Sequence, residues 1–316
     1  MRILVSPTSI KENSDNPALK KLQEFAKELV YNNTGKPLEE EALIPLLKDC
    51  DGYLAGLDFI TERVLNECPK LKVISRYGAG YDRVDIVAAS KLNIKVTNTP
   101  GANAEAVGEL AFGMVLALAR NLVPLDRKTK ENEWVRSIGI ELFNKNMGII
   151  GLGAIGKVVA RCAIGMGMQV SAYDPYINEA YCSKYNIKSL SLEELMKNAD
   201  IISLHLPLNE QTKHLINAES IKTMKTGVIL INASRGGLID EEAVQKALKE
   251  KKIGGLGLDA FEKEPPIDSG LFQYENVIVT PHTGAHTIEA ADQMLQMSVD
   301  NLIAALSQKE CPNLVN

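Results

Sequence analysis

The chain has 316 residues, of which 45% are apolar and 24% are charged, and its net charge is −5. A chain of this length is typical of about two domains and folds without disulfide or metal cross-links. The negative charge argues against nucleic acid as a partner. No segment approaches the ~18 apolar residues of a membrane span, and the N-terminus lacks the apolar stretch of a signal peptide. No membrane partner is expected.

The five cysteine residues are odd in number, widely separated and without a CxxC pair. Neither a zinc site nor a redox motif is therefore predicted. Such cysteines are typical of reduced thiols, which favours a cytoplasmic location. No metal is expected in the functional site.

The first hundred residues alternate short apolar runs with helical spacing. The runs RILVSP, GYLAG, LKVISRYGAG and IKVTNTP predict buried strands, and the apolar spacing over Asn16–Tyr31 predicts one helix. Apolar strands that alternate with helices are typical of a parallel sheet covered on both faces. Residues 102–121 are apolar nearly all round, which predicts a buried helix.

A second α/β series begins almost halfway along the chain. Its predicted strands are MGIIGLG, MQVSAYD, DIISLHLP, GVILINAS, GGLGLDAF and VIVTPHTG, and a last helix follows around Ile288–Leu306. We infer an α/β protein of two domains. A nucleotide-binding domain of residues 101-286 is inserted into a smaller domain of residues 1-100 and 287-316, and the cleft between domains is the expected active site.

A glycine-rich turn opens the second series. Gly151, Gly153 and Gly156 form GxGxxG, in which the glycines allow a tight turn, close approach of a pyrophosphate and close helix packing. MQVSAYD ends in Asp174, where an acid that binds the ribose 2′-hydroxyl of NAD is expected. A carboxylate there disfavours the 2′-phosphate of NADP, so NAD is the predicted cofactor. Asp174 as a turn or helix-capping residue is the alternative.

Three polar residues of complementary chemistry each follow a predicted strand of this domain. They are Arg235 in INASRGGLID, Glu264 in LDAFEKEPP and His282 in VTPHTGAHT. Ligands of open α/β sheets bind beyond the carboxyl ends of the strands. Arg binds a carboxylate through two parallel hydrogen bonds, His exchanges a proton near neutral pH, and Glu orients His. Taken singly, a surface Arg, a solvated Glu and a capping His are the alternatives.

Over essentially its whole length the chain resembles the D-2-hydroxyacid dehydrogenase family, and within it the D-3-phosphoglycerate dehydrogenase branch. The resemblance rests on these stretches: SRYGAGYDRVD, VTNTPGANAEAVGELAFGMVLALAR, EWVRSIGIELFNKNMGIIGLGAIGK, YDPY, HLPLNEQTKHLI, INASRGGLIDEEAV, LDAFEKEPP, NVIVTPHTGAHTIEA and CPNLVN. It implies a Rossmann-type NAD-binding domain inserted into a smaller flavodoxin-like substrate domain. It also implies that Arg235, Glu264 and His282 are catalytic.

The resemblance implies further site residues. Cofactor contacts are expected from Ala79, Gly151, Gly153, Ala154, Ile155, Gly156, Asp174, Leu206, Pro207, Ala233, Ser234, Asp259, Gly284 and Ala285. Substrate contacts are expected from Arg76, Tyr77, Gly78, Ala79, Asn103, Arg136, Arg235 and His282. His205 is expected to pack near the cofactor. His286, which departs from the family pattern, is expected at the start of the following helix.

The expected reaction interconverts a D-2-hydroxy acid and its 2-oxo acid. The resemblance favours 3-phosphoglycerate and 3-phosphohydroxypyruvate, as in serine biosynthesis, with Arg76 or Arg136 binding the phosphate. Hydroxypyruvate or glyoxylate reduction is the alternative, and an NAD-sensing, peptide-binding corepressor is a remote one. Amino-acid dehydrogenases also have a central nucleotide-binding domain, but they need a lysine for amine chemistry. The Arg, Glu and His of this chain fit a hydroxy acid instead. The stretch Asn121–Phe143 matches a dimerisation arm, which predicts a homodimer, and no regulatory domain is expected after Asn316.

Overall fold

The computed structural model describes all 316 residues, and the chain divides into two compact units. Unit 1 comprises Met1–Asn103 and Thr287–Asn316, and unit 2 comprises Ala104–His286. Unit 2 is thus an insertion in the sequence of unit 1.

The structure contains twelve strands and twelve α-helices. The strands are β1 (Arg2–Val5), β2 (Glu28–Tyr31), β3 (Gly52–Ala55), β4 (Val73–Arg76), β5 (Lys95–Thr97), β6 (Asn146–Ile150), β7 (Gln169–Tyr173), β8 (Lys188–Ser189), β9 (Ile201–Leu204), β10 (Val228–Asn232), β11 (Ile253–Leu258) and β12 (Val277–Val279). The helices are α1 (Pro17–Phe25), α2 (Glu40–Leu47), α3 (Glu62–Asn66), α4 (Ile86–Lys91), α5 (Ala104–Ala119), α6 (Leu122–Lys130), α7 (Ala154–Gly165), α8 (Glu179–Tyr185), α9 (Leu192–Asn198), α10 (Ala218–Thr223), α11 (Glu241–Lys249) and α12 (Ile288–Leu306).

Unit 1 is built on one parallel sheet. Its strand order is β2-β1-β3-β4-β5, and every neighbouring pair runs parallel. This 2-1-3-4-5 order is that of flavodoxin-like folds. Helix α12 returns the chain to this unit, where its buried face, with Leu295, Val299 and Leu302, joins the apolar core of β1 and α1.

The predicted helix over Asn16–Tyr31 is wrong in its second half. Helix α1 ends at Phe25, and Glu28–Tyr31 forms the edge strand β2, which pairs in parallel with β1. The apolar spacing of this stretch also fits a helix, but pairing with β1 satisfies the backbone groups of β2 and decides the outcome. The short strand β8 was likewise not among the predicted strands.

Unit 2 is built on a seven-stranded parallel sheet. Its order is β12-β11-β10-β9-β6-β7-β8. When β6 is counted as strand 1 and the sheet is followed from β8 to β12, the order is 3-2-1-4-5-6, with β12 as a seventh strand. This is the Rossmann order, and its topological switch point lies between β6 and β9. The fold is therefore a Rossmann-type domain inserted into a smaller flavodoxin-like one, as the sequence predicts.

Helix α5 lies in the core of unit 2. Ala111, Met114 and Val115 are buried with strands β6, β7, β9 and β10, which confirms the predicted buried helix. No single helix has the length and hydropathy of a membrane span; α5 and α6 reach them only as a pair that is bent by 65°.

Candidate active site

The GxGxxG turn joins β6 to α7 at the switch point of the unit 2 sheet, and the surroundings of its three glycines differ. Gly151 has φ 100°, and a Cβ there would lie 2.7 Å from the backbone of His205. A Cβ at Gly156 would lie 2.0 Å from the Gly151 carbonyl oxygen. Around Gly153 no atom lies within 4 Å of such a Cβ. The first and third glycines thus permit close packing, and the second leaves open space.

This open space lies at the N-terminus of α7. Gly153 is the N-cap residue and has no side chain to accept the first N–H groups of the twelve-residue helix. Uncapped N–H groups and the helix dipole together bind phosphate. The residues present therefore fit the pyrophosphate of a dinucleotide, and Ala154 and Ile155 form the first turn beside it.

Asp174 follows β7 and connects it to the glycine turn. Its Oδ2 accepts the Leu152 N–H at 2.8 Å, and its Oδ1 accepts the Tyr176 N–H at 2.8 Å. The carboxylate is thus a turn residue, as the alternative interpretation required. Each oxygen has a second lone pair, so these bonds leave acceptors for a ribose hydroxyl.

The segment after β9 packs against the glycine turn. His205 donates its backbone N–H to Ile150 at 2.7 Å, and its Nε2 lies 2.8 Å from Ser203 Oγ. Its Nδ1 is buried and has no hydrogen-bond partner. Burial lowers the pKa of His205 to about 3, so the ring is neutral at ordinary pH. His205 is thus packed in the fold; Leu206, which follows, is buried and Pro207 is exposed.

His282 and Glu264 form a pair at the carboxyl ends of β12 and β11. His282 Nδ1 lies 2.8 Å from Glu264 Oε1, and the side chains are 33% and 22% exposed. Glu264 Oε1 also accepts the Phe261 N–H at 3.3 Å. His282 has φ 50°, a left-handed conformation that few non-glycine residues adopt and that is frequent at functional sites. The pair leaves Nε2 of the imidazole for another partner.

Asp259 holds the loop that carries His282. It is 2% exposed, and its carboxylate accepts the Thr280 hydroxyl at 2.6 Å and the N–H groups of Thr283 and Gly284 at 2.7 Å each. These bonds fix the loop on both sides of His282. Sequence reasoning assigned Asp259 to the cofactor and missed this role, although a buried acid after a strand is a signal for it.

Arg235 lies in the turn after β10. Its Nη1 donates to the Ser234 carbonyl at 2.8 Å, and its own carbonyl accepts from Asn232 Nδ2 at 2.9 Å. The Ser234 hydroxyl donates to the Leu204 carbonyl at 2.7 Å. Asn232, which is fully buried, therefore shapes the turn, and sequence reasoning missed it.

Close backbone packing joins the Arg235 turn to the Glu264 turn. A Cβ at Gly236 would lie 1.8 Å from the Phe261 carbonyl carbon. Only glycine therefore fits at position 236, directly after Arg235. The structure thus brings the turns of Arg235 and Glu264 together, and Glu264 is bonded to His282. Of the remaining residues predicted to contact the cofactor, Ala233, Gly284 and Ala285 lie in the turns after β10 and β12, whereas Ala79 belongs to unit 1.

The other predicted substrate residues lie outside these turns. Tyr77, Gly78, Ala79 and Asn103 belong to unit 1, and Arg136 is exposed in the segment after α6. Arg76 is only 4% exposed, and its guanidinium donates to the backbone carbonyls of Ala55 and Gly80. A contact between Arg76 and substrate phosphate would require this side chain to turn outward. His286 lies just before α12, as expected.

The chain is similar to known dehydrogenases. A model of the family "D-isomer specific 2-hydroxyacid dehydrogenase, NAD binding domain" matches residues 112–284. The glyoxylate reductase of Korarchaeum cryptofilum is 39% identical over 288 residues, which cover 89% of this chain and 87% of that protein.

The chain belongs to the D-isomer specific 2-hydroxyacid dehydrogenases.

The D-3-phosphoglycerate dehydrogenase of Methanocaldococcus jannaschii is 41% identical over 283 residues, which cover 88% of this chain and 54% of that protein. The solved structure of the TT0316 protein from Thermus thermophilus superposes with a TM-score of 0.91 at 34% identity, with both chains fully covered. The predicted family, the NAD cofactor and the enzyme class are thereby confirmed: the protein is an NAD-dependent D-2-hydroxyacid dehydrogenase.

Proposed function

We propose that His282, Glu264 and Arg235 interconvert a D-2-hydroxy acid and its 2-oxo acid. The single observation that carries this proposal is the His282–Glu264 pair at 2.8 Å, with the Arg235 turn packed against the Glu264 turn. An imidazole oriented by a carboxylate is a general acid–base arrangement, and the adjacent guanidinium is a binding group for a substrate carboxylate.

The proton moves at Nε2 of His282. Because Nδ1 faces Glu264, Nε2 is the nitrogen that gives a proton to the substrate oxygen during reduction and takes it back during oxidation. Glu264 fixes the ring orientation, and Asp259 fixes the loop on which the ring stands. Arg235 holds the substrate carboxylate. Acid–base help of this kind contributes roughly 10²–10⁴-fold.

NAD would be held by the N-terminus of α7, by Asp174 and by the turns after β9, β10 and β12. When bound, its nicotinamide ring supplies or accepts the hydride. Asp174 favours NAD over NADP, because a carboxylate binds the ribose hydroxyls and repels a 2′-phosphate.

For the substrate we propose a small unphosphorylated 2-oxo acid, such as glyoxylate or hydroxypyruvate. The observation that favours it is the inward orientation of Arg76, one of the two residues, with Arg136, that the sequence left as candidates for binding a phosphate. The relative from Korarchaeum is a glyoxylate reductase of comparable length. The second candidate is 3-phosphohydroxypyruvate, and with it a role in serine biosynthesis. It is favoured by exposed Arg136 and by the similarity to a D-3-phosphoglycerate dehydrogenase.

The test is steady-state NADH oxidation with glyoxylate, hydroxypyruvate, pyruvate (the 2-oxo acid of D-lactate) and 3-phosphohydroxypyruvate. We expect the highest kcat/KM for an unphosphorylated acid. A preference for 3-phosphohydroxypyruvate that Arg136→Ala abolishes would establish the second candidate. Turnover of none of these acids would refute the proposed function.

We also propose a cytoplasmic homodimer. The five cysteines are free, which supports a reducing compartment.

The segment Asn121–Phe143 exposes large apolar side chains, with Trp134 83% and Ile138 99% exposed. Such a patch marks a protein interface. Sedimentation should give a dimer whose Ile138→Asp variant is a monomer; a monomeric unmodified protein would refute the proposal.

A further inference from the structure

The loop Tyr77–Gly80, which follows β4 in unit 1, has three consecutive carbonyl groups that are bonded to the body of this unit. The Gly78 carbonyl accepts the Thr99 N–H at 3.1 Å. The Ala79 carbonyl accepts Asn98 Nδ2 at 2.7 Å, and the Gly80 carbonyl accepts Arg76 Nε at 3.1 Å. The carbonyls are therefore held inward by one backbone donor and two side chains.

In a trans peptide unit the C=O and the N–H point in opposite directions. The inward carbonyls of Gly78, Ala79 and Gly80 therefore turn the N–H groups of the next residues, Ala79, Gly80 and Tyr81, away from the body of unit 1. None of these three N–H groups donates to a backbone carbonyl. Successive backbone N–H groups that are not used within the fold are the donors from which anion sites are built.

Arg76 is placed to hold this loop. It is the last residue of β4 and is 4% exposed. Its Nη1 donates to the carbonyl of Ala55, the last residue of β3, at 2.8 Å. A buried guanidinium needs such bonds, because burial removes its contacts with water. Arg76 thus ties the Gly80 carbonyl to the end of the neighbouring strand.

A buried acid, Asp58, follows β3, the strand to whose last residue Arg76 is bonded. Asp58 is 1% exposed, and its carboxylate accepts the Tyr53 hydroxyl at 2.7 Å and the Leu38 N–H at 2.6 Å. A neutral side chain of similar size would keep the packing at position 76 but lose both the charge and the two donors.

Asn98 holds the loop with its side chain alone. Its backbone is fixed independently, because its N–H donates to the Asn313 carbonyl at 3.2 Å and its carbonyl accepts Asn301 Nδ2 at 2.8 Å. A substitution at position 98 therefore changes the bond to Ala79 and leaves the path of the main chain in place.

We propose that Arg76 and Asn98 are positioning residues, which hold the N–H groups of Ala79, Gly80 and Tyr81 as a preformed site for the carboxylate of the 2-oxo acid. The proposal rests on the proposed function for the nature of the anion. Arg76 then acts on every substrate through the loop, and it does not read a phosphate. Its loss weakens the binding of phosphorylated and unphosphorylated acids alike.

The experiment measures kcat and KM for glyoxylate, hydroxypyruvate and 3-phosphohydroxypyruvate, together with the Kd of NADH. The variants are Arg76→Met, Arg76→Lys, Asn98→Ala and Asn98→Asp. Arg63→Met is the matched control, because Arg63 lies on the surface of the same unit and pairs with exposed carboxylates. Turnover by the unmodified protein tests the proposed function, and the pattern among the variants tests the positioning role.

We expect Arg76→Met to raise KM roughly tenfold for every acid that is turned over, because the Gly80 carbonyl of the loop loses its charge-assisted hydrogen bond. The kcat and the Kd of NADH should change less than twofold. Arg76→Lys should lie between, since one ammonium cannot serve both carbonyls. Asn98→Asp should raise KM more than Asn98→Ala, because it places a negative charge beside the anion. The control should match the unmodified protein.

Three results would overturn the proposal. A rise in KM confined to 3-phosphohydroxypyruvate would show that Arg76 binds phosphate. Unchanged KM values in the folded variants would show that the loop does not need these side chains. A loss of kcat at constant KM would place them in the chemical step. If Arg76→Met does not fold, the two Asn98 variants, whose backbone is held elsewhere, decide the question by the same criteria.

Discussion

The loops Tyr77–Gly80 of unit 1 and Gly151–Gly156 of unit 2 both follow a parallel strand, and we propose that both bind an anion through backbone N–H groups. They are held in different ways. The unit 2 loop is shaped by backbone contact, since a Cβ at Gly151 or Gly156 would collide with main-chain atoms. The unit 1 loop is held by one backbone donor, the Thr99 N–H, and by two side chains, Arg76 and Asn98. A loop for anion binding can thus be shaped by glycines, which let main-chain segments approach closely, or by side chains that hold its carbonyl groups.

The difference has a consequence for substitutions. A site made by backbone packing tolerates no larger residue at its contact points, so substitution there affects folding together with binding. A site held by side-chain donors loses affinity in steps, one hydrogen bond at a time. The His282–Glu264 pair of unit 2 is a third case, because the role that we propose for His282 lies in the reaction itself, so that its loss should act on kcat.

The largest effect is expected at this pair. His282→Ala should lower kcat by roughly 10²–10⁴-fold, because the proton must then come from water. The Kd of NADH, measured by fluorescence titration, should change little. His286→Ala is the matched control, since His286 is exposed at the start of α12. Near-normal turnover by His282→Ala would show that the acid–base group lies elsewhere.

The next effect tests whether backbone contact shapes the unit 2 loop. Gly156→Ala should abolish NADH binding or folding, because its Cβ would lie 2.0 Å from the Gly151 carbonyl oxygen. Gly153→Ala should fold normally, since nothing lies within 4 Å, but should bind NADH roughly tenfold more weakly, because the methyl group enters the space for the pyrophosphate. Gly165→Ala, in equally open space at the other end of α7, is the control.

Thermal unfolding and NADH titration together check this series. Equal NADH affinity of the Gly153→Ala and Gly165→Ala variants would show that the phosphate does not lie at the N-terminus of α7. Normal binding by Gly156→Ala would show that the turn can open without loss of function, and the contrast between the two loops would fail.

A smaller effect is expected at Asp174. Asp174→Asn keeps an acceptor for the Tyr176 N–H and removes the negative charge. The ratio of kcat/KM with NADPH to that with NADH should rise roughly tenfold, as for the loss of one charge-assisted hydrogen bond. Asp15→Asn, which removes an exposed carboxylate from unit 1, controls for net charge. An unchanged ratio would leave Asp174 with its turn role alone.

Sequence reasoning found the parts of this fold that depend on local pattern. The buried strands, the buried helix α5, the span of α12 and the glycine turn each have a signal within a few residues. It missed β2, because Leu29 also continues the helical spacing of α1 and only pairing with β1 selects the strand. It left the choice between Arg76 and Arg136 as phosphate ligand open, because the direction of the Arg76 side chain depends on a bond to Ala55, 21 residues away. Which donors and acceptors meet is set by tertiary contacts.

The last prediction concerns His205, which joins β9 to the glycine turn. Its pKa is lowered to about 3 by burial, whereas in the unfolded chain it is near 6.5. Between these values the unfolded state binds a proton that the folded state does not, so stability is full above pH 6.5 and falls as the pH drops toward 3. His205→Gln, which keeps a polar partner for Ser203, should remove this contribution to the pH dependence of stability.

The free energy of unfolding by urea, measured from pH 7.5 to 4.5, should therefore depend less steeply on pH in His205→Gln than in the unmodified protein. The difference should approach 1.4 kcal/mol per pH unit below pH 6, the value for one proton. His286→Gln, the same change at an exposed histidine, should leave the slope unchanged. Parallel curves for all three proteins would mean that His205 takes up a proton in the folded state, with Nδ1 as the site that this proton would occupy.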